Sequence, residues 1–392
     1  MKPLAGLRVI DLSQIYQGPY ATFLMAMAGA EVIKVEPPGG ERLRGLGGAG
    51  TPLSFAMLNA NKRSVSLDLK HPEGKRLLCQ LVEHGDVLVE NYAPGVMDRL
   101  GVGYSALKGI NPRLIYASGT GYGLTGPDRD QLAMDHTIQA ASGMMSLTGV
   151  PDGPPLRAGG APIDIMGGIH LYGGVMTALV SRGVTGLGTL VEVAMVEAMY
   201  FTFSTDLAAY HRTGEVPIRS GMRSPSLTTP YSIYECADGY IAVICVTHDH
   251  WLRTLDVIGH PELADDPRYK DAIARNARES EINTLMTNWT KGRPRDEAFT
   301  ALKNAKVPVA PVRDLEEVRT DPHMHSRGML SWHEHPALGR VVLANSPIRY
   351  PEMGVPEVGT YPELGAHNDS VYGGLLGLSD AAIEALRRDK VI

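Results

Sequence analysis

The sequence predicts an α/β protein with a doubly wound parallel sheet in a large domain and a second, smaller α+β domain. Short β-rich runs alternate with helical stretches through the first half of the chain, as in a parallel sheet with crossover helices. After a polar, proline-bearing link at residues 214–230, the pattern changes to a β-hairpin followed by charged helices. A chain of 392 residues, 44% of them hydrophobic, can fill the cores of two or three such domains.

The first elements are predicted to form a βαβ unit. The strand LRVIDL begins at Leu7, the turn Gly18-Pro19 precedes the helix YATFLMAMAGA, and EVIKVE is the parallel strand. Further strands are predicted at KRSVSLDL, GDVLVEN and PRLIYASGTGYG. Between the first two lies the helical stretch PEGKRLLCQLVEHG, with Pro72 at the first helical position.

The later elements divide the chain into domains. Helical spacing marks HTIQAASGMMSLTG and IHLYGGVMTALVSRG, and YSIYECADGYIAVICV predicts a hairpin that turns at Asp238-Gly239. The run VVLANSPIRY and the closing helix SDAAIEALRRDK suggest a return to the first domain. We therefore predict a large domain from residues 1–213 and 323–392, with a small domain at 226–322 inserted in it.

Charge and cysteine content exclude several classes of partner and site. The formal net charge is −6, and lysines and arginines are scattered among acids, which gives no basic surface for nucleic acid. The start MKPLAGLRVIDLS lacks a secretory signal pattern, and no uninterrupted apolar run approaches the roughly 20 residues of a membrane span. We expect a cytoplasmic protein without a membrane partner. Cys79, Cys236 and Cys245 have no paired spacing, which argues against disulfides and zinc.

Two short motifs suggest chemistry that their surroundings do not support. Gly121, Gly123 and Gly126 have the spacing G-x-G-x-x-G of a dinucleotide-binding oxidoreductase. That motif belongs in the first βα turn and precedes a helix, whereas residues 127–129 here are typical of a loop. His248 and His250 lack a third ligand at metal spacing, so a solvated loop is favoured and no metal site is expected.

One carboxylate stands alone in an apolar run. The stretch GGAPIDIMGG places Asp164 between two glycine pairs. From the residues alone, an aspartate before an apolar helix is typically a helix N-cap. The glycines leave a second interpretation open, because residues without a Cβ let the backbone approach a ligand closely.

Six segments taken together carry a family resemblance. They are KPLAGLRVIDLS, GAEVIKVEPPGG, NANKRSVSLDLKHPEGK, DVLVENYAPGVMDRLGVGY, NPRLIYASGTGYGLTGP and QAASGMMSLTG. In this order they resemble the family III CoA-transferases, the superfamily of formyl-CoA transferase, carnitine CoA-transferase and α-methylacyl-CoA racemase, and the C-terminus is similar as well. The resemblance implies a Rossmann-like large domain built from both chain ends, a small central domain and a homodimer of interlocked rings.

The resemblance also assigns roles to residues near Asp164. It implies that Asp164 is the catalytic nucleophile, since a carboxylate forms a mixed anhydride that keeps the free energy of a thioester, which a serine ester would not. Gly167 and Gly168 are then candidates for amides that stabilise a tetrahedral oxyanion. Gln17 matches a glutamine near the acyl group in formyl-CoA transferase, although from its local sequence it fits a turn residue equally well, and Tyr16 is expected in the same pocket.

For the nucleotide, the resemblance implies contacts along two segments, and no permanently bound cofactor, with coenzyme A and acyl-CoA as substrates. The residues at these positions are Asn61, Lys62, Arg63, Leu69, Lys70, Asn91, Ala93 and Arg99. Cations suit phosphates and small residues suit adenine. One departure concerns an arginine of formyl-CoA transferase after the second strand, where this chain has Pro37 and Pro38, with Arg42 or Arg44 as possible substitutes.

The resemblance implies a transferase that moves CoA between carboxylic acids, and the family together with Gln17 suggests succinyl-CoA or another dicarboxylyl-CoA as donor. A racemase of the same fold is the enzyme alternative, and its second base is a histidine directly before an aspartate. Here Met134 precedes Asp135, and methionine has no proton to exchange. A non-catalytic CoA-binding protein is the alternative outside enzymes.

Overall fold

A six-stranded parallel sheet forms the centre of the fold, and its strands follow from the apolar, β-branched runs of the sequence. The structure is a computed structural model that describes residues 2–45, 52–222, 228–335, 338–354 and 357–392. Its strands are β1 Arg8–Asp11, β2 Glu31–Glu36, β3 Arg63–Ser66, β4 Val87–Glu90, β5 Ile115–Thr120, β6 Leu190–Ala194, β7 Tyr231–Cys236, β8 Gly239–Ile244, β9 Val309–Pro311, β10 Leu330–His335 and β11 Gly339–Ala344. The large sheet has the order β3-β2-β1-β4-β5-β6 with every pair parallel, which is the Rossmann order.

Helices connect and cover the strands. They are α1 Gln17–Met27, α2 Leu53–Asn59, α3 Pro72–Glu83, α4 Val96–Arg99, α5 Tyr104–Ile110, α6 Asp135–Ala141, α7 Met144–Leu147, α8 Pro162–Thr185, α9 Met195–Ala198, α10 Ser204–Thr213, α11 His248–Ile258, α12 Ala272–Asn276, α13 Glu279–Thr290, α14 Arg295–Asn304, α15 Leu315–Arg319, α16 Pro322–Ser326 and α17 Asp380–Arg388. Pro72 begins α3 as predicted, and the His71 side chain accepts a hydrogen bond from the Glu73 N–H.

Both faces of the large sheet are buried, as a parallel sheet requires. Adjacent residues on β1 show this division, since Ile10 belongs to the core that includes α3 and α17 while Val9 belongs to the core that includes α1 and α8. Successive side chains of a strand point to opposite faces, so the near-continuous apolar runs of the sequence follow from this two-sided packing.

The described chain forms two compact units. The first comprises Met1–Ser142, Ala158–Phe201 and Asp321–Ile392, and the second comprises Gly143–Arg157 and Thr202–Thr320. Residues 143–157, which the sequence analysis assigned to the large domain, lie in the second unit. They are held there by backbone and side-chain hydrogen bonds, among them one of 2.7 Å from Arg219 to the Gly153 carbonyl.

In the second unit, β7, β8 and β9 form an antiparallel sheet in the order β7-β8-β9, with Trp251, Ile282 and Leu302 in the core beside it. Cys236 pairs with Gly239, so the hairpin turns at residues 237–238. The prediction that it turns at Asp238-Gly239 was therefore wrong by one residue.

The predicted helix HTIQAASGMMSLTG is broken in the structure. Its residues form α6 and α7, with Gly143 between them at φ 91°. A left-handed backbone ends a helix, and glycine adopts it without the clash that a Cβ would cause. The helical periodicity of the two halves was correct, but the glycine interrupts it.

Among the described residues, one helix, α8, has the length and mean hydropathy (1.4) of a membrane span. Length and composition alone are weak evidence, because core helices of water-soluble proteins have the same properties. Leu171 and Val175 of α8 pack into the core of the large sheet, and its buried Arg182 pairs with Asp86 at 2.9 Å.

Candidate active site

A cavity of about 260 Å³ opens in the first unit where strands β1, β4 and β5 end. These are carboxyl ends of parallel strands, and the strand order reverses between β1 and β4, which is where open α/β sheets bind ligands. The residues that line the cavity are Gln14, Ile15, Gln17, Arg42, Asn91, Tyr92, Ala93, Pro94, Gly119, Thr120, Gly121, Arg129, Gln131, Leu132, Ala133, Met134, Asp164 and Met195. The topology therefore brings Gln17 and Asp164, which are far apart in sequence, to one site.

Asp164 lies in the first turn of α8, and its half-buried side chain lines the cavity. Burial, and then the charge of Asp135, raise its pKa to about 7. The amino end of a helix favours an anion, but here burial and a like charge have the larger effect. Close to neutral pH the carboxyl is thus divided between its protonated and ionised forms.

Asp135 provides the cap that Asp164 was expected to be. Its Oδ2 accepts hydrogen bonds from the N–H groups of Ile163 at 2.8 Å and of Asp164 at 3.2 Å. Gln139 donates to the other carboxylate oxygen at 2.6 Å and accepts a bond from the Ala158 N–H at 2.9 Å. The interpretation of Asp164 as an N-cap is wrong, because Asp135 on α6 satisfies the free amides and leaves the Asp164 side chain to the cavity.

Gln17 is buried, and its Nε2 has no hydrogen-bond partner among the described residues. The amide lies between two glycines, because a Cβ on Gly119 would come within 2.7 Å of Gln17 Oε1 and one on Gly167 within 2.9 Å of Nε2. A buried amide N–H without a partner is costly in free energy. An oxygen atom of a ligand in the cavity would supply the missing hydrogen-bond acceptor.

The structure does not support the expected role of Gly167 and Gly168 as oxyanion donors. Both are in the second turn of α8, where helix geometry directs each N–H to a carbonyl four residues earlier. Their lack of a Cβ instead permits close packing, since a Cβ on Gly168 would lie 2.6 Å from the Gln17 carbonyl oxygen. Tyr16 is also placed differently from the prediction, because it packs beside Leu43 and does not line the cavity.

The predicted nucleotide contacts divide into two groups. Asn91 and Ala93 line the cavity, and Asn91 exchanges hydrogen bonds of 2.8 and 2.9 Å with the backbone of Gln14. Lys70 and Arg99 have exposed side chains that a phosphate could reach. These four residues remain candidates for binding CoA.

The other four predicted CoA contacts bond to or pack against other residues of the protein. Lys62 Nζ is fully buried and lies within 3.0 Å of four oxygens, including Asp11 Oδ2, so it has no donor left for a phosphate. Arg63 pairs with Glu31 and donates to Ser370 at 2.8 Å. Asn61 bonds the backbone of residues 357 and 359, and Leu69 packs against the core.

The structure distinguishes the two arginines offered as substitutes after the second strand. Arg44 forms a two-point ion pair with Glu36, at 2.6 and 2.8 Å, and lies over the Phe55 ring. Arg42 lines the cavity. The sequence contained no local signal for this difference, and none for the cap formed by Asp135, because each depends on contacts between distant segments.

The two weak motifs have ordinary structural roles. Gly121 lines the cavity, but no helix follows the glycines before Asp135, as expected. His248 and His250 lie in the first turn of α11, in the second unit, so the expected loop at these residues is instead the start of a helix. Within the described part of the chain, no group of three or more acidic, histidine or cysteine side chains could hold a metal ion.

The chain is similar to known proteins over most of its length. Residues 4–368 match the model of a family described as CoA-transferase family III. The acetyl-CoA:oxalate CoA-transferase of Acetobacter aceti is 38% identical over 352 residues, which cover 88% of this chain and 89% of that protein. The succinyl-CoA–L-malate CoA-transferase beta subunit of Chloroflexus aurantiacus is 34% identical over 100% of this chain and 98% of its own. The crystal structure of a CAIB/BAIF family protein from Brucella suis matches with a TM-score of 0.84 and 32% identity, covering 95% of this chain and 99% of that one.

Proposed function

Because the chain belongs to CoA-transferase family III and is an enzyme of that class, we propose that it moves CoA between carboxylic acids through covalent intermediates on Asp164. One observation supports this proposal most directly. The carboxyl of Asp164 and the unpartnered amide of Gln17 line the same cavity at the carboxyl ends of the strands. A nucleophile and a donor for a developing oxyanion are the two groups that acyl transfer requires.

The proposed reaction has four exchanges at one carboxyl group. The Asp164 carboxylate attacks the carbonyl carbon of the acyl-CoA, the C–S bond breaks, and an aspartyl–acyl anhydride and CoA thiolate form. The thiolate attacks the aspartyl carbonyl and releases the donor acid, which leaves an aspartyl-CoA thioester. The acceptor carboxylate attacks the carbonyl carbon of this thioester, the C–S bond breaks, and a new anhydride and CoA thiolate form. The thiolate then attacks the acceptor acyl carbonyl, which gives the new acyl-CoA and releases the Asp164 carboxylate.

Gln17 and Asp135 have separate roles in these reaction steps. The Gln17 N–H donates to the carbonyl oxygen as it gains negative charge, and it adds no charge that would hold an acid too tightly. Asp135 holds the first turn of α8, and with it the Asp164 backbone, through the two hydrogen bonds from Ile163 and Asp164. Water has to be excluded throughout, because either intermediate hydrolyses.

The substrates follow from the relatives and the cavity. The two relatives described above are named for transfer of CoA to oxalate and to L-malate. We propose succinyl-CoA or another dicarboxylyl-CoA as donor, a small dicarboxylate as acceptor, and CoA contacts at Lys70, Asn91, Ala93 and Arg99. CoA is then a substrate, with no permanently bound cofactor.

The cavity favours transfer over racemisation. Met134 and Asp164 both line it, whereas His136 does not. A racemase of this fold would need a proton-exchanging side chain at position 134, and a thioether has no such proton. A non-catalytic CoA-binding protein is the remaining alternative, and the trapping experiment below separates it from an enzyme.

We further propose a cytoplasmic homodimer of interlocked subunits that binds neither nucleic acid nor membranes. Exposed apolar side chains on α8 support a second copy as the partner, since Val180 is 73% and Val184 87% exposed. Light scattering of the purified protein should give twice the chain mass, and a monomer would contradict this part of the proposal.

Trapping the intermediate tests the proposed function. The protein is incubated with acetyl-CoA or succinyl-CoA, treated with hydroxylamine, digested and analysed by mass spectrometry. We expect a hydroxamate on Asp164, because both the anhydride and the thioester react with hydroxylamine. In the matched control, Asp164→Ala retains CoA binding and gives no hydroxamate. Transfer activity in this variant would disprove the assignment.

A further inference from the structure

Arg42 has a position that the proposed function does not yet use. It lines the cavity, and in the described part of the chain its guanidinium group has no hydrogen bond or ion pair. We propose that Arg42 binds the distal carboxylate of a dicarboxylate substrate and so determines which acids the enzyme accepts. This inference rests on the proposed function, because it assumes that the other carboxyl group of the same acid reacts at Asp164.

The backbone that carries Arg42 is fixed from both sides. Oε2 of Glu41 accepts hydrogen bonds from the N–H of Leu43 at 2.9 Å and from the N–H of Ile15, in the cavity loop, at 3.3 Å. C-terminal to Arg42, the Arg44 side chain donates two hydrogen bonds to Glu36 and one of 2.9 Å to the Pro362 carbonyl. A cation on an anchored turn loses less conformational entropy on binding a ligand than one on a free loop.

The charges around the cavity explain why a dicarboxylate needs such a cation. Asp164 and Asp135 already place negative charge at the reactive end, and their mutual repulsion contributes to the raised pKa of Asp164. A second carboxylate on the substrate would add to this repulsion. A guanidinium group offsets it and offers two parallel N–H donors that match a carboxylate.

Arg129 is the natural comparison because it is the other arginine on the cavity wall. Its guanidinium lies 3.3 Å from the carboxylate of the adjacent Asp130, in an exposed pair. Arg129 therefore already has a counter-charge, whereas Arg42 has none among the described residues. Of the two, Arg42 is the better partner for a substrate anion.

The size of the cavity limits the length of the acid. At about 260 Å³ it is smaller than the roughly 300–1,000 Å³ of sites for drug-sized ligands, so it suits a short acid rather than a long acyl chain. A monocarboxylate of equal length would place a methyl group against Arg42 and leave the cation without a partner. Because the Arg42 side chain is exposed, water would solvate its guanidinium in that complex, so we expect a moderate preference for the dicarboxylate.

The test compares acids of equal chain length. Transfer from acetyl-CoA and from succinyl-CoA is measured to glutarate and to pentanoate, in the wild type, in Arg42→Gln and in the control Arg76→Gln, an exposed arginine of α3 that does not line the cavity. We expect the wild type to prefer glutarate, and Arg42→Gln to lower kcat/KM for glutarate about 10- to 100-fold, mainly through KM. Its kcat/KM for pentanoate and its KM for acetyl-CoA should stay within about 3-fold of the wild-type values, and Arg76→Gln should change each value by less than about 3-fold.

Three results would overturn the inference. An equal loss with glutarate and pentanoate would give Arg42 a structural role, and a raised KM for acetyl-CoA with an unchanged acid preference would place the CoA phosphates beside it. A wild type without preference for glutarate would show that no distal carboxylate is bound. In each case a hydroxamate on Asp164 would leave the proposed function intact, whereas its absence from wild-type protein would contradict that function first.

Discussion

Two aspartates in the first unit occupy nearly identical sequence contexts and have opposite environments. Asp11 stands in VIDLS and Asp164 in PIDIM, each flanked by apolar residues. Asp11 is fully buried, and burial alone would raise its pKa, but the charges of Lys62 and Lys34 and two hydroxyl hydrogen bonds hold that pKa far below its usual range. Asp164 has a carboxylate neighbour in place of these cations, and its pKa is raised to about 7.

The difference lies in the partners of each acid, and it supports the proposal that Asp164 is the nucleophile whereas Asp11 is structural. Lys62 reaches Asp11 at 2.9 Å, and Thr22 donates to the same oxygen at 2.7 Å, so the Asp11 carboxylate is fully satisfied. Its satisfied lone pairs make it a poor nucleophile. Within the described residues, the Asp164 carboxyl has no comparable cation or hydroxyl donor. This lack of partners is costly for the fold and favours attack on a carbonyl carbon.

The largest expected effect comes from removing the proposed nucleophile, Asp164. Asp164→Asn keeps the shape of the side chain and removes the nucleophile, so we expect steady-state transfer to fall at least about 10⁴-fold. At pH 8 the free energy of unfolding of this variant should equal or exceed that of the wild type. The reason is that the substitution removes an ionised carboxylate that lies near Asp135. Transfer assays and chemical denaturation measure the two quantities. A marked loss of stability would show that Asp164 is a structural residue.

At Asp11, whose carboxylate is paired, we expect a large loss of stability when its cation is removed. Lys62→Met leaves Asp11 buried without its closest cation, and loss of one partner of a buried pair costs roughly 3–5 kcal/mol in the free energy of unfolding. Lys70→Met is the matched control, since Lys70 is exposed and its loss should change stability by no more than about 0.5 kcal/mol. Chemical denaturation compares the two variants. A loss below about 1 kcal/mol for Lys62→Met would contradict the structural role.

A smaller effect is expected in the pH dependence of kcat/KM, which reports the pKa of Asp164. Because the nucleophile must be ionised, kcat/KM for the acyl-CoA should rise with pH and level off above a midpoint near 7, the pKa of Asp164. In Asp135→Asn the like charge is gone and the midpoint should move to lower pH. It should remain above the ordinary 3.8, since burial is the larger cause of the shift. An unchanged midpoint would mean that Asp135 has no electrostatic influence on Asp164.

The sheet could be predicted from sequence because its signal is local. Apolar, β-branched runs separated by helical stretches indicate a parallel arrangement, and the structure has the six parallel strands. The break at Gly143 and the one-residue shift of the hairpin show the limit of periodicity, which locates an element better than its ends. The assignment of residues 143–157 to the second unit depends on contacts with residues 219 and 221, which the local pattern does not encode.

The site was only partly accessible to sequence reasoning. The family resemblance predicted roles for Asp164 and Gln17, and the structure brings both residues to one cavity. The charge partners could not be inferred, because Asp135 reaches the amide of Asp164 across 29 residues of chain and Lys62 reaches Asp11 across 51. A lysine in the sequence looks the same whether it faces a phosphate or a buried carboxylate, and only the fold distinguishes the two.

The packing around Gln17 has a consequence for redesign of the enzyme. A single methyl group on Gly119 or Gly167 would collide with the amide, so that side of the cavity cannot be remodelled without displacing Gln17. The turn at Arg42–Gly45 carries an exposed side chain at its first position and has room for change. Libraries that seek new acid preferences should therefore vary residue 42 and keep Gly119 and Gly167 unchanged.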